Sequence, residues 1–180
     1  ELNHAACVTF NNADPEFFHY TLPKLCASHA HIQPLKKNRA LCEIYGAYGW
    51  AEGIPLMKYL TDLMLCCGIQ YFVPHAFSPK YPDPDCPPHF YARGHNPQFA
   101  LFGDLMEYTA RLCHAMSGGV HRADVAVYYN AEAEWSGGRN MLQQKICKEL
   151  TRHYIDFDLL PQDTLCEEAS VRNGRLTVHE

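Results

Sequence analysis

Glu43 is the residue of this chain with the clearest potential for chemistry. It ends the apolar run of residues 40–42, and in parallel α/β proteins functional residues sit where strand ends meet loops. A carboxylate there can act as a nucleophile or as a general base on water, if a second carboxyl group lies across the scissile bond. The alternative is a structural glutamate paired with Arg39 or with a helix end.

Large aromatic side chains follow Glu43 directly, at Tyr45, Tyr48 and Trp50. Their flat apolar faces are suited to stacking against the C–H groups of a sugar ring. Aromatic residues after a strand also serve as core residues, so they support a carbohydrate site without establishing one.

His75 follows a second apolar run, residues 69–73, and Pro74. If this strand lies beside the strand that ends at Glu43, the imidazole can hydrogen-bond a sugar hydroxyl or orient the Glu43 carboxylate. A histidine among apolar residues is equally often a structural group. The proline-rich segment 78–97 comes next, and we expect it to fold over the mouth of the site.

The pattern of apolar residues, prolines and glycines predicts an α/β protein with a parallel sheet and a domain boundary at about 118–123. The first part has predicted strands at 6–10, before Glu43 and at 69–73, with helices at 14–32, 53–67 and 98–116. The second part has predicted strands at 124–129 and 155–159, a helix at 140–153 and a hairpin around Asn173 and Gly174.

Composition restricts the class of protein. With 47% hydrophobic residues and a formal charge of −5, the chain of 180 residues is globular and has no basic face for nucleic acid. No apolar run approaches the roughly 20 residues of a membrane helix. Nine cysteines without a Cys-x-x-Cys pair indicate reduced thiols and a cytoplasmic location.

Neither a metal site nor a cofactor is predicted. His29 and His31 are the one closely spaced pair of potential ligands, and on a helix they point in different directions. The glycine patterns of dinucleotide-binding and phosphate-binding loops are absent from the sequence.

Three segments, residues 42–50, 57–62 and 68–75, resemble bacterial glycoside hydrolases with a (β/α)8 barrel, related to α-L-rhamnosidases and barrel β-galactosidases. In such enzymes a flavodoxin-like α/β domain follows the barrel. The resemblance extends from about residue 14 onward. It implies that residues 1–119 are a partial TIM barrel, its last three β/α units, and that residues 124–180 begin the flavodoxin-like domain.

The resemblance also implies roles. Glu43 would end the seventh barrel strand as nucleophile or base, and His75 would end the eighth. The acid/base partner comes from the fourth strand, which would precede Glu1. His75, Trp50, Tyr45 and Tyr48 would bind the carbohydrate substrate. The chain is thus expected to be a glycosidase fragment, inactive in isolation, from a parent protein that can be oligomeric.

Two alternatives remain open at this stage. One is a non-catalytic carbohydrate-binding barrel segment, in which Trp50 and the aromatic loop bind glycans without cleavage. The other is a doubly wound ligand-binding protein without sugar chemistry, which predicts a complete sheet within these residues.

Overall fold

The computed structural model describes the backbone of residues 2–3 and the whole of residues 20–139 and 143–179. The α-helices are α1 (Leu22–Ile32), α2 (Ile54–Cys66), α3 (Phe102–Met116), α4 (Ala131–Trp135) and α5 (Gln143–Arg152). The strands are β1 (Leu2–Asn3), β2 (Leu41–Ile44), β3 (Tyr71–Pro74), β4 (Val125–Tyr129), β5 (Phe157–Pro161), β6 (Ala169–Arg172) and β7 (Arg175–Val178).

The predicted α/β class is confirmed. Strands β1, β2 and β3 form a parallel sheet in that order, and β4 pairs in parallel with β5. Strands β6 and β7 form a separate antiparallel hairpin. Each of these sheets is open in the described part of the chain. The predicted strand at 6–10 and the predicted helix start at 14–16 lie outside the described residues.

The β2–α2–β3 unit places Glu43 on one particular face of the sheet. Cys42 and Ile44 point into a buried cluster with Met57, Leu60 and Met64 of α2. Because side chains alternate along a strand, Glu43 points to the opposite face. Its side chain is half-buried there.

That opposite face is apolar and open to solvent. Leu41, Tyr71 and Val73 share it with Glu43, since Leu41 pairs with Tyr71 and Glu43 with Val73 in the parallel register. These three apolar residues are 40%, 42% and 46% exposed. The sheet is therefore covered by helices on one side only, within the residues that the structure describes.

Helix α1 connects the two parallel sheets. Ala30 belongs to the cluster beneath β2, whereas Leu25 packs against the cluster around β4 and β5. The Ser28 hydroxyl accepts a hydrogen bond of 2.8 Å from the Leu159 amide in β5. The predicted boundary at about 118–123 stays a prediction, and α1 contacts elements on both sides of it.

Local signals account for most helix ends and turns. Pro23 lies in the first turn of α1, where a missing N–H costs nothing. Asn173 and Gly174 adopt φ of +51° and +73°, as the predicted hairpin turn requires. The short helix α4 and the π-helical turn Thr164–Glu168 were not predicted.

The eight cysteines within the described residues are free thiols. Cys42 and Cys147 are buried as expected, whereas Cys66, Cys86 and Cys166 are exposed. Among the described residues, no helix has the length and apolar character needed to cross a membrane.

Candidate functional site

The ends of β2 and β3 bring Glu43 and His75 to the same edge of the sheet. Glu43 pairs with Val73 in the register, and the His75 amide donates a hydrogen bond of 2.8 Å to the Ile44 carbonyl. The two residues predicted from their positions after apolar runs are therefore neighbours at adjacent strand ends.

Gly46 makes room for the His75 ring. A Cβ atom at position 46 would lie 3.1 Å from His75 Cγ, which is closer than most such contacts. The His75 Nδ1 atom is buried and has no hydrogen-bond partner among the described residues. This ring nitrogen is therefore an unsatisfied buried polar atom, which is rare in folded proteins.

The proline-rich segment folds back over the loop that follows β2. The amides of Ala47 and Gly49 donate to the carbonyls of Cys86 and Pro87 at 3.2 Å and 2.8 Å. The Phe90 amide donates to the Ala76 carbonyl at 2.9 Å. These backbone bonds fix the segment at the edge where Glu43 and His75 lie, as its position in the sequence led us to expect.

His89 is a member of the site that sequence analysis did not single out. It is fully buried, and its Nε2 atom lies 2.6 Å from the Asp85 carbonyl. Its ring contacts Trp50 edge-on at 5.8 Å between centroids and lies 6.2 Å from the His75 ring. The sequence offered only an aromatic, proline-rich loop, in which surface and buried positions look alike.

Trp50 keeps an accessible surface at this edge. Its side chain is 46% exposed, although one edge meets Tyr81 at 6.0 Å between ring centroids. Half of the indole surface can therefore contact a ligand, which fits the predicted stacking role.

The Glu43 carboxylate also influences Cys86. Although Cys86 is exposed, partial desolvation of its thiol raises its pKa, and the nearby Asp85 and Glu43 carboxylates raise the pKa further. Glu43 thus faces the proline-rich segment as well as His75. The thiol stays protonated at neutral pH, so Cys86 is a poor nucleophile.

Tyr45 does not take the position expected of a sugar-binding residue. It has a φ of +80°, and this turn directs its ring into the core, where it is fully buried. Its hydroxyl shares a hydrogen bond with Thr61 of α2. Burial raises the pKa of Tyr45 to about 12. We therefore correct the prediction: Tyr45 supports the loop from behind and offers no open face to a sugar.

Tyr48 also differs from its predicted place. It packs against the buried cluster beneath β2 and lines a cavity of about 500 Å³ between α1, α2 and β5. Neither Glu43 nor His75 nor Trp50 lines this cavity. Of the predicted sugar-binding residues, His75 lies at the same sheet edge as Glu43, and Trp50 contacts His89, which is next to His75. Tyr45 is buried in the core, and Tyr48 lines the separate cavity.

Glu52 is a second carboxyl group in the loop after β2, and sequence analysis missed it. Its side chain is 4% exposed, and neither oxygen has a hydrogen-bond partner among the described residues. Burial raises its pKa to about 8, so it is protonated at neutral pH. A protonated carboxyl group is a hydrogen-bond donor, but this one is enclosed in the core.

No known protein family, curated protein or solved structure matches this chain. The resemblance to barrel glycoside hydrolases consequently depends on the motifs themselves.

Proposed function

We propose that this chain is part of a glycoside hydrolase that cleaves O-glycosidic bonds, with Glu43 as catalytic nucleophile or general base. The observation that supports the proposal is the position of Glu43 and His75 at one edge of a parallel sheet, with Trp50 linked to His75 through the ring of His89. A sugar-cleaving site needs two carboxyl groups, of which Glu43 would supply one. An imidazole and an accessible indole are suited to binding the sugar beside it.

We further propose that residues 1–119 are the last three β/α units of a (β/α)8 barrel. The sequential order of three parallel strands supports this, as does the helix cover on one face. The apolar face formed by Leu41, Tyr71 and Val73 is suited to the interior of a closed barrel. Residues 124–180, with the parallel pair β4–β5, would begin the flavodoxin-like domain.

In this proposal the acid/base partner of Glu43 is supplied from outside the chain, on another strand of the barrel. His75 positions the Glu43 carboxylate or a sugar hydroxyl, and Trp50 stacks on a sugar ring. The isolated 180 residues are then inactive. The free thiols favour a reducing, cytoplasmic compartment.

The alternative function is a barrel segment that binds carbohydrate without cleaving it. The accessible Trp50 favours this possibility as much as it favours the enzyme. The enzyme requires the Glu43 carboxylate for cleavage, whereas a binding segment does not, because stacking of a sugar on Trp50 needs no carboxylate.

Glu43→Gln tests the proposal in a longer protein that carries the remaining barrel strands. We expect glycoside turnover to fall about 10³-fold or more, since the amide is no nucleophile or base, while sugar affinity changes little. Hydrolysis of a panel of aryl glycosides measures the first effect, and calorimetric sugar binding measures the second.

The matched control is Glu107→Gln, which removes an exposed carboxylate paired with Arg111 on α3. It should leave turnover unchanged. Near-normal activity of the Glu43→Gln protein refutes the catalytic role. A wild-type protein that binds sugars through Trp50 but cleaves none supports the alternative.

A further inference from the structure

Three potential metal ligands converge at a place distant in sequence from Glu43. They are His31 in the last turn of α1, His121 in the segment between α3 and β4, and Asp158 in β5. One ligand atom from each lies within 4.8 Å of the others. Sequence analysis could not find this group because its members come from three separate elements.

The distances within the group are close to those of a metal site. His31 Nδ1 lies 2.8 Å from Asp158 Oδ1, and His121 Nε2 lies 3.6 Å from Asp158 Oδ2. Ligand atoms bound to one tetrahedral zinc ion, with bonds of about 2.0–2.2 Å, lie about 3.4 Å apart. The imidazole rings of His31 and His121 stack at 3.8 Å between centroids, and both rings lie beside the Asp158 carboxylate.

The position of His121 needs an explanation. Every other residue from 114 to 124 is exposed, and only the His121 side chain turns inward, with 19% of its surface accessible. Its Nε2 atom is buried and makes no hydrogen bond to the described residues. An inward ring nitrogen without a hydrogen-bond partner, next to a carboxylate, is suited to binding a metal ion.

Other side chains hold the carboxylate in place, as the outer contacts of a metal site do. The Ser28 hydroxyl hydrogen-bonds Asp158 while accepting from the Leu159 amide. An oxygen of Asp156 lies 3.7 Å from His121 Nε2. The Asp156 carboxylate forms an ion pair with Lys24, so the positive charge of Lys24 near the site is balanced. Hydrogen bonds of this kind orient metal-binding carboxylates and contribute to metal affinity.

We propose that His31, His121 and Asp158 bind one divalent transition-metal ion, with zinc as the preferred ion. Two imidazoles and one carboxylate suit zinc, whereas calcium and magnesium prefer oxygen ligands. Binding replaces the His31–Asp158 hydrogen bond with metal–ligand bonds and turns the stacked rings so that their nitrogens converge. A water molecule or an Asp156 oxygen completes the fourth position.

The ion would fasten the segment around His121 to α1 and β5, because each ligand belongs to a different element. This proposed site is separate from the one proposed around Glu43. This inference departs from the sequence-based expectation of no metal site.

Calorimetric titration of Zn²⁺ alone into the chelator-treated 180-residue chain tests the proposal. We expect one equivalent to bind in the micromolar range or more tightly. His121→Ala and Asp158→Asn should each weaken binding at least about tenfold, since removal even of an outer contact costs 10–100-fold. Co²⁺ should give visible d–d absorption in the wild type that both variants lose.

The matched control is His29→Ala, which removes an exposed histidine from the same helix. It should bind Zn²⁺ like the wild type. His121→Ala is the decisive variant because it changes a segment whose neighbours are all exposed, and circular dichroism checks its folding. The proposal is overturned if the wild type binds no Zn²⁺ below about 100 μM, if His121→Ala binds equally well, or if His29→Ala weakens binding as much.

Discussion

Glu52 belongs to the loop after β2, and its side chain is buried beside the proline-rich segment. The apolar residues Ile54, Met57 and Phe90 line the same small void, and the polar Asn96 and Gln98 that also line it make no hydrogen bond to Glu52. In such surroundings the charged form of a carboxyl group loses its hydration without gaining a partner. Its pKa accordingly rises from 4.5 to about 8.

This shift has a definite consequence for stability. Between pH 4.5 and about 8 the folded protein keeps a proton on Glu52 that the unfolded chain releases. The free energy of unfolding therefore falls as pH rises through that range, and it levels off above it. One proton contributes a slope of at most about 1.4 kcal/mol per pH unit.

Glu52→Gln should remove this slope, because the amide does not titrate. Urea unfolding at pH 5 and pH 7.5 measures the free energy of unfolding of both proteins. Wild type should lose stability between these two pH values, and Glu52→Gln should lose less. Glu107→Gln, on the exposed face of α3, should instead follow the wild-type profile. Parallel pH profiles for Glu52→Gln and wild type would contradict the assignment.

Individual site residues differed in how far the sequence could predict them. Glu43 and His75 were predictable because residues that follow apolar runs in a parallel sheet share one edge. The direction of Tyr45 was not, since it depends on a positive φ in the turn. The protonated Glu52 depends on contacts with the distant Phe90, which no local pattern encodes.

At the scale of elements, the end of α2 shows how one residue joins a helix to a strand. α2 ends at Cys66, and Gly68 follows with a φ of +94° before the chain enters β3. A Cβ atom at position 68 would lie 3.0 Å from Ala27 Cβ on α1. Glycine is required here for its backbone conformation and for the close approach of α1.

Gly68→Ala and Gly118→Ala separate these two requirements. Gly118 has a φ of +79° and open space around it, so its substitution costs only backbone strain, about 1 kcal/mol. Gly68→Ala adds the contact with Ala27 and should cost about 3 kcal/mol in total. Denaturant midpoints measure both losses, and equal losses would show that the α1 contact is unimportant.

Elements with local signals matched their predictions best. The predicted helix at 53–67 is α2 at Ile54–Cys66, because its apolar residues recur at helical spacing and Gly68 follows directly after the predicted segment. β3 begins at Tyr71, two residues later than the predicted 69. At the start of β3, the amides of Gln70 and Tyr71 donate hydrogen bonds to the Ala40 carbonyl, just before β2. The first residue of β3 therefore depends on a contact with a distant part of the chain, which the local sequence does not reveal. The five-residue α4 is too short for helical periodicity to reveal it.

At the scale of the whole molecule, the open face of the β1–β2–β3 sheet is notable. Within the part of the chain that the structure describes, helices cover this three-stranded sheet on one side, and Leu41, Tyr71 and Val73 on the other side are exposed to water. Apolar residues grouped in this way usually mark a surface that another structural element covers. In the proposed barrel, the remaining strands and their inward-facing side chains would cover it.

Helix α1 gives the two parallel sheets a shared element. Its Ser28 hydroxyl is buried, and it satisfies the Leu159 amide in β5 at 2.8 Å. Lys24 on the same helix pairs with Asp156. These contacts couple the β4–β5 pair to the part of the chain that carries Glu43, so loosening one should loosen the other.

Ser28→Ala tests this coupling. It leaves the Leu159 amide buried without an acceptor, which should cost about 1–3 kcal/mol of stability. Hydrogen exchange should then be faster at Leu159 and in β4, and also in α2 and β3 of the other sheet, with a lower unfolding midpoint for the whole chain. Ser117→Ala is the matched control, since that exposed hydroxyl bonds only the Cys113 carbonyl within its own helix end. If Ser28→Ala accelerates exchange in β4 and β5 but leaves α2 and β3 at wild-type protection, the two sheets unfold independently and α1 does not couple them.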